Sequence, residues 1–347
     1  MEQMRGVVKT RRGVGNVELL VVPDPVIGDE DVLVQVVSAG ICGTDIGIYS
    51  DAGTYLPPVV LGHEYSGRIV RLGAGVQGLS VGDRVTSAAT IPCGECHLCK
   101  TGSPNRCVGP NKRVLGSLRA DGAFAEYVAV PASLVHRIPD ALSFDEAALV
   151  EPAACVVHAV VERVGVGLGE TVVVLGPGPI GLLAVQVARA QGAGRTIVAG
   201  LSADKERLAV AKRLGADVAV NIEDEDLSVL VRELTGGLGA DLVLEASGST
   251  RARAQALELV RRRGRVGLIG LAGGLGELDV DKIVEGELDV QGSWGTVWSS
   301  WRGALAMMCA GRLQVLPLIS RRLTLEEWKR GFDLMIEKKA IKVLLTP

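Results

Sequence analysis

Between residues 171 and 269 the chain alternates short apolar runs with helix-length segments. A parallel sheet with helices packed on it is the architecture that fits such an order, because each crossover must bury its own apolar face. The expected strands are 171–175, 195–199, 218–221, 241–246 and 265–269. The expected helices are 180–191, 205–214, 227–235 and 252–262. Residues before about 150 read differently. They are β-rich, with short strands expected at 32–37, 65–71, 83–87 and 124–130 and Gly-rich turns between them. The tail from about 292 has helical stretches near 301–310 and 325–337, then a short strand at 341–345. At 347 residues the chain is long enough for two domains. The fold class is therefore α/β: a β-rich domain plus a doubly wound parallel sheet.

The first expected strand, TVVVL, runs into Gly176-Pro177-Gly178-Pro179-Ile180-Gly181, a G-x-G-x-x-G that opens a helix. Alone the pattern is weak; between a strand and a helix it has the context that dinucleotide binding needs. Small residues let the backbone approach a pyrophosphate, and the helix start supplies N–H groups. An acid at the end of the second strand would accept the adenosine ribose hydroxyls. That place holds Gly200, with Ser202, Lys205 and Arg207 nearby. The expectation is NAD(P), tipped slightly towards NADP, and a Gly200→Asp change is expected to favour NAD. Asp204 bending back to the ribose, or Lys205 and Arg207 as a solvated helix face, are the competing readings.

Cys93, Cys96, Cys99 and Cys107 fall in one short run, CGECHLCKTGSPNRC. Two residues between successive cysteines let thiolates wrap one ion, and a fourth completes a tetrahedral shell suited to Zn²⁺. Four sulfurs leave no open position, so such a metal staples a lobe and does no chemistry. A second set is more dispersed: Cys42 in ICGTD, His63-Glu64 in LGHEYSG and Glu151 in VEPAA. A thiolate, an imidazole and one or two carboxylates can form an open zinc site with room for a substrate oxygen. Taken singly, a buried Cys or His is more often a core residue.

With these residues assembled, the chain resembles the zinc-dependent medium-chain dehydrogenases, in the sorbitol and threonine dehydrogenase branch. GHEYSGRIVRLGAGV matches that family's GHE-x-x-G-x₅-G-x-x-V signature. ICGTD, the four-cysteine run, VGDRV, VEPAA and GPGPIGLL occur in the family's order. The resemblance spans essentially the whole chain. It implies a GroES-like catalytic domain, 1–152 with 292–347, and an inserted Rossmann domain, 153–291. It implies two zinc ions per subunit, with Cys42, His63 and either Glu64 or Glu151 on the catalytic one, and the other carboxylate holding water. It places Thr44 beside the substrate oxygen as a proton relay, and Asp45 behind His63. Many relatives carry a histidine five residues after the ligand cysteine; here that position is Gly47. Trp294, Trp298 and Trp301 fall where the family's tail returns to the cleft, with helix packing or an interface as the other readings. Cys155 and Cys309 match no metal role and read as core packing.

The implied activity is alcohol or polyol dehydrogenation. A threonine-type amino-alcohol dehydrogenase is the alternative among enzymes, and a non-catalytic nucleotide-binding protein the alternative outside them. The net charge of −3 is spread along the chain, with no basic block to suggest nucleic acid. The most apolar segment is broken by Gly176, Pro177, Gly178 and Pro179, which argues against a membrane span. Seven cysteines without an export signal suit a reducing cytoplasm. The expected partner is a small alcohol or polyol, and the expected assembly a homo-oligomer, dimer or tetramer.

Overall fold

In the computed structural model, which describes residues 3–347, the apolar runs of 171–269 form one parallel sheet. Its order is Val218–Asn221, Arg195–Gly200, Thr171–Leu175, Ala240–Glu245, Val260–Leu268 and Asp289–Gly292. Every neighbouring pair is parallel, and the chain order reverses beside Thr171–Leu175, the switch point at which such sheets take nucleotides. Val172, Val173 and Val174 are fully buried, as an uninterrupted β-branched run at the middle of a two-faced sheet should be. The helix Pro179–Ala190 buries every residue from 181 to 188, so it too lies inside the unit.

The β-rich part holds a seven-stranded sheet. Its path runs Val135–Arg137, Arg84–Ser87, Glu64–Leu72, Asp31–Gly40, Lys342–Thr346 and Ile319–Thr324, with Tyr127–Pro131 also paired to Asp31–Gly40. The C-terminal strand enters antiparallel to Asp31–Gly40, aligning Leu344 with Gly40, and Gly40 also aligns with Glu64. The last residues of the chain therefore build the first domain's sheet beside the LGHE segment.

Contacts divide the chain into two units. One comprises residues 3–151 with Thr296–Trp301 and Ile319–Pro347; the other comprises Pro152–Gly295 with Arg302–Leu318. The tail was expected to belong wholly to the β-rich domain, from 292 onward. Arg302–Leu318 instead groups with the parallel sheet. Gln186 accounts for part of this: its amide accepts from Gln314 N–H at 2.7 Å and donates to Gln314 O at 3.1 Å.

Several strands were not expected. Gln3–Lys9 and Val17–Pro23 form an antiparallel hairpin, but the second is mostly exposed and lacks a clean alternation. Ile319–Thr324 carries two exposed arginines, and Asp289–Gly292 has only four residues. The expected helix 252–262 stops at Leu259, because Val260 pairs with Ala240 and begins a strand. Val150–Val157 is a helix that continues as a π-helix, His158–Val164.

Candidate active site

Cys42 follows the strand Asp31–Gly40 and precedes the helix Gly43–Tyr49. Its N–H donates to Asp45 Oδ2 at 2.8 Å. Asp45 is wholly buried; its Oδ1 accepts from Gly62 N–H at 3.3 Å and lies 3.7 Å from His63 Nδ1. One carboxylate thus fixes the Cys42 turn, the approach to the LGHE segment and the imidazole. Burial pushes the Asp45 carboxyl up, against the pull of His63. For His63, burial opposes a charge, yet Cys42, Asp45 and Glu151 together raise its pKa well above the ordinary value. The acidic partners gathered around His63 make a setting that a divalent cation would suit.

Ligand atoms of Cys42, His63 and Glu64 all lie within 4.8 Å of one another. Cys42 is half-buried, while His63 and Glu64 are buried. A soft sulfur, a nitrogen and an oxygen in that compass suit zinc. Glu64 needs the missing side chain of Gly40, whose Cβ would stand 2.5 Å from Glu64 Oε2. Both Glu64 oxygens are bound by Lys342 Nζ, at 2.7 and 2.9 Å, and the same ammonium donates to Ile41 O at 3.0 Å. Glu151 is buried near the start of the helix Val150–Val157 and acts on His63, but it stands outside the three-residue cluster. Thr44 is exposed, with its Oγ1 3.7 Å from Cys42 Sγ. A Cβ on Gly47 would meet nothing within 4 Å, so the relay position is open space.

The four cysteines converge as expected. Cys96 Sγ lies 3.4 Å from Cys99 Sγ and 3.9 Å from Cys107 Sγ, and Cys93 Sγ lies 3.9 Å from Cys99 Sγ. A tetrahedron with Zn–S bonds of about 2.3 Å has edges of about 3.8 Å, whereas a disulfide needs about 2.05 Å. Cys93 Sγ accepts N–H groups from Glu95 at 3.4 Å and Cys96 at 3.3 Å. Such amides hold the Cys93 thiol below its usual range, which favours the thiolate that a metal needs.

In the nucleotide turn, Gly176 has φ of +100°, and a Cβ there would stand 2.7 Å from that of Ser247. A Cβ on Gly181 would lie 1.9 Å from Gly176 O, so the helix start approaches the turn this closely only because residue 181 is glycine. Gly178 faces open space, with nothing within 4 Å of a built Cβ. That is the cradle a pyrophosphate would fill, with Pro179, Ile180 and Gly181 starting the helix above it.

The ribose end departs from expectation. A Cβ on Gly200 would meet Pro177 Cγ at 2.8 Å and Asp204 Cβ at 3.2 Å. A Gly200→Asp side chain therefore collides with the phosphate turn itself, and that variant is not the clean switch the sequence suggested. Arg207 is turned inward to Asp204 Oδ1 at 3.2 Å, and Asp204 Oδ2 accepts from Leu201 N–H at 3.2 Å. Lys205 remains exposed. Ser202 N–H donates to Glu223 Oε2 at 2.7 Å.

Sequence reasoning missed Lys342, Glu223 and His136. For Lys342 the sequence shows only a lone lysine inside the apolar run IKVLLT, with nothing to name its partner. His136 had no signal. It lies between Trp301, stacked at 4.7 Å and 5°, and Trp298 at 4.1 Å. Trp301 is core, while Trp294 and Trp298 are about half exposed.

Two family models match the chain. Residues 28–140 match the "Alcohol dehydrogenase GroES-like domain" family and residues 179–310 the "Zinc-binding dehydrogenase" family. A sorbitol dehydrogenase of Halalkalibacterium halodurans is 40% identical over 346 residues, 99% of each chain. A D-arabitol-phosphate dehydrogenase of Enterococcus avium is 39% identical, over 99% of this chain and 97% of the relative. A protein from Sinorhizobium meliloti 1021, solved bound to NADP, superposes with a TM-score of 0.91 at 33% identity over the full length of both chains. The GroES-like and Rossmann parts, the zinc signature and the full-length relatives together place the chain in the zinc-dependent medium-chain alcohol dehydrogenase family.

Proposed function

We propose that the protein oxidises the CH–OH group of a polyol, with transfer of a hydride to NAD(P), at a catalytic zinc held by Cys42, His63 and a carboxylate. The observation that carries this reading is the tight grouping of Cys42, His63 and Glu64, separate from a closed four-sulfur lobe. Zinc bound there supplies a Lewis acid that lowers the pKa of the substrate hydroxyl. Asp45 orients His63 and the Cys42 turn. Thr44 Oγ1, exposed beside Cys42, receives the alcohol proton and passes it on. Lys342 binds both oxygens of Glu64, and Glu151 acts on His63 from outside the three-residue cluster; one of these two carboxylates completes the ligand set and the other holds water. Two zinc ions per subunit follow from the two ligand sets.

The support for a polyol over threonine is that the sorbitol and arabitol-phosphate dehydrogenases reach 40% and 39% identity, against 35% to 38% for several threonine dehydrogenases. No helix among the described residues is long and apolar enough to cross a membrane. A homo-oligomer, dimer or tetramer, belongs to the same reading. Its support is the exposure of Leu271, Leu275, Val280 and Val284 near the edge strand Asp289–Gly292. A reducing cytoplasm belongs to the same reading, in which none of the seven cysteines forms a disulfide.

The test is cofactor reduction with a panel of polyols, polyol phosphates and threonine, run on wild type and Thr44→Val at full zinc occupancy. Turnover on a polyol that falls by roughly 10² or more in Thr44→Val supports the reading. Preference for threonine would overturn the substrate class, and near-normal turnover in Thr44→Val would overturn the relay. A Gly47→His side chain has room, and is expected to raise the rate where proton loss is limiting.

A further inference from the structure

The strand-end position that would carry a ribose-binding acid holds Gly200, and Pro177 leaves no room for any side chain there. Asp204, the next acid along, is buried and already bound to Leu201 N–H and Arg207. A carboxylate nevertheless reaches this corner from the neighbouring strand. Gly200 aligns with Asn221 at the end of Val218–Asn221, and Glu223 follows two residues later. Glu223 Oε2 accepts Ser202 N–H at 2.7 Å, and the Ser202 hydroxyl also bonds this carboxylate. Asn221 braces the arrangement: its Oδ1 accepts Glu223 N–H at 3.2 Å and its Nδ2 donates to Ser202 Oγ at 3.0 Å. The hydrogen-bond donors of Ser202, which would otherwise face a 2′-phosphate, are thus held by a carboxylate. Asp224 and Glu225 add exposed negative charge beside it. Of the two nearby bases, Arg207 is spent on Asp204 and Lys205 alone is exposed.

We propose that Glu223 sets the dinucleotide preference: it stands in for the acid absent at Gly200, accepts the 2′-hydroxyl of the adenosine ribose, and repels a 2′-phosphate. A carboxylate has acceptor capacity for that hydroxyl in addition to Ser202. The protein then favours NAD over NADP, against the slight tilt that the bare sequence gave. The inference rests on the reading that the Gly176–Gly181 turn binds a dinucleotide.

The experiment is a fluorescence titration of NADH and NADPH against the zinc-loaded protein without alcohol, so that binding is read apart from turnover. Wild type is expected to bind NADH at least about tenfold tighter than NADPH, the factor that corresponds to about 1.4 kcal/mol. Glu223→Gln is expected to erase or reverse that ratio, mainly by tightening NADPH. Glu225→Gln removes the same charge from the same loop without touching Ser202, and is expected to leave the ratio within about twofold. A wild type that prefers NADPH, a Glu223→Gln ratio unchanged from wild type, or an equal shift in Glu225→Gln would each overturn the proposal. Binding of neither nucleotide would instead overturn the dinucleotide reading beneath it. Glu223 is exposed, so the variant tests recognition and not folding.

Discussion

Lys342 Nζ holds both carboxylate oxygens of Glu64, at 2.7 and 2.9 Å, with the two side chains 3% and 1% exposed. A residue five from the C-terminus thereby neutralises an acid of the zinc signature 278 positions earlier. Burial alone would lower the Lys342 pKa; Glu64, Cys42 and Asp45 more than reverse it, so the ammonium stays charged.

Removing one partner of such a pair strands a buried charge. Lys342→Met is expected to destabilise the protein by about 3–5 kcal/mol, read by denaturant unfolding of the zinc-loaded protein. Lys342→Arg keeps the charge and is expected to retain most of that stability. If Lys342→Met unfolds like wild type, the pair contributes nothing and Glu64 is not held as described.

The four-cysteine lobe makes a separate prediction. Cys99→Ser is expected to remove one zinc equivalent by elemental analysis and to lower thermal stability. The Cys42, His63 and Glu64 cluster is built from other segments, so the second equivalent is expected to stay. A Cys99→Ser protein with full metal and full stability would contradict a structural zinc.

His136 supplies a pH dependence. Burial between Trp298 and Trp301 lowers its pKa from 6.5 to about 4, and its Nε2 is buried without a hydrogen-bond partner. The unfolded chain binds this proton near pH 6.5 and the folded chain only near 4. Stability is therefore lost as pH falls through that window, by up to about 3 kcal/mol from this one group. His136→Phe keeps a stacking ring and removes the proton site. Its melting temperature is expected to fall less than that of wild type between pH 6.5 and 4, and parallel falls would contradict the assignment.

What was legible in the sequence was whatever a local pattern encodes. TVVVL and its glycine turn fixed a strand, a helix and a cradle, because Gly176 and Gly181 have no room for side chains. The Cys93–Cys107 spacing encoded a closed sulfur shell. Long-range pairings were not legible. Nothing near Glu64 announces Lys342, and nothing in VHRIP announces two tryptophans from residues 298–301. The surroundings of Gly200 are long-range in the same way: Pro177 crowds a side chain there, and Glu223, beyond the end of the neighbouring strand, bonds Ser202.

The central claim is that Cys42 and His63 hold a zinc on which hydride transfer depends, apart from the zinc of the four-cysteine lobe. Its most direct test is metal content and polyol-dependent cofactor reduction measured together in wild type and Cys42→Ser. Wild type is expected to hold about two zinc equivalents, one for each ligand set. Cys42→Ser is expected to hold about one, to stay folded through the intact lobe, and to lose turnover by roughly 10³ or more, the scale on which a Lewis acid contributes several kcal/mol. Wild-type turnover by a Cys42→Ser protein with a single zinc would contradict the account.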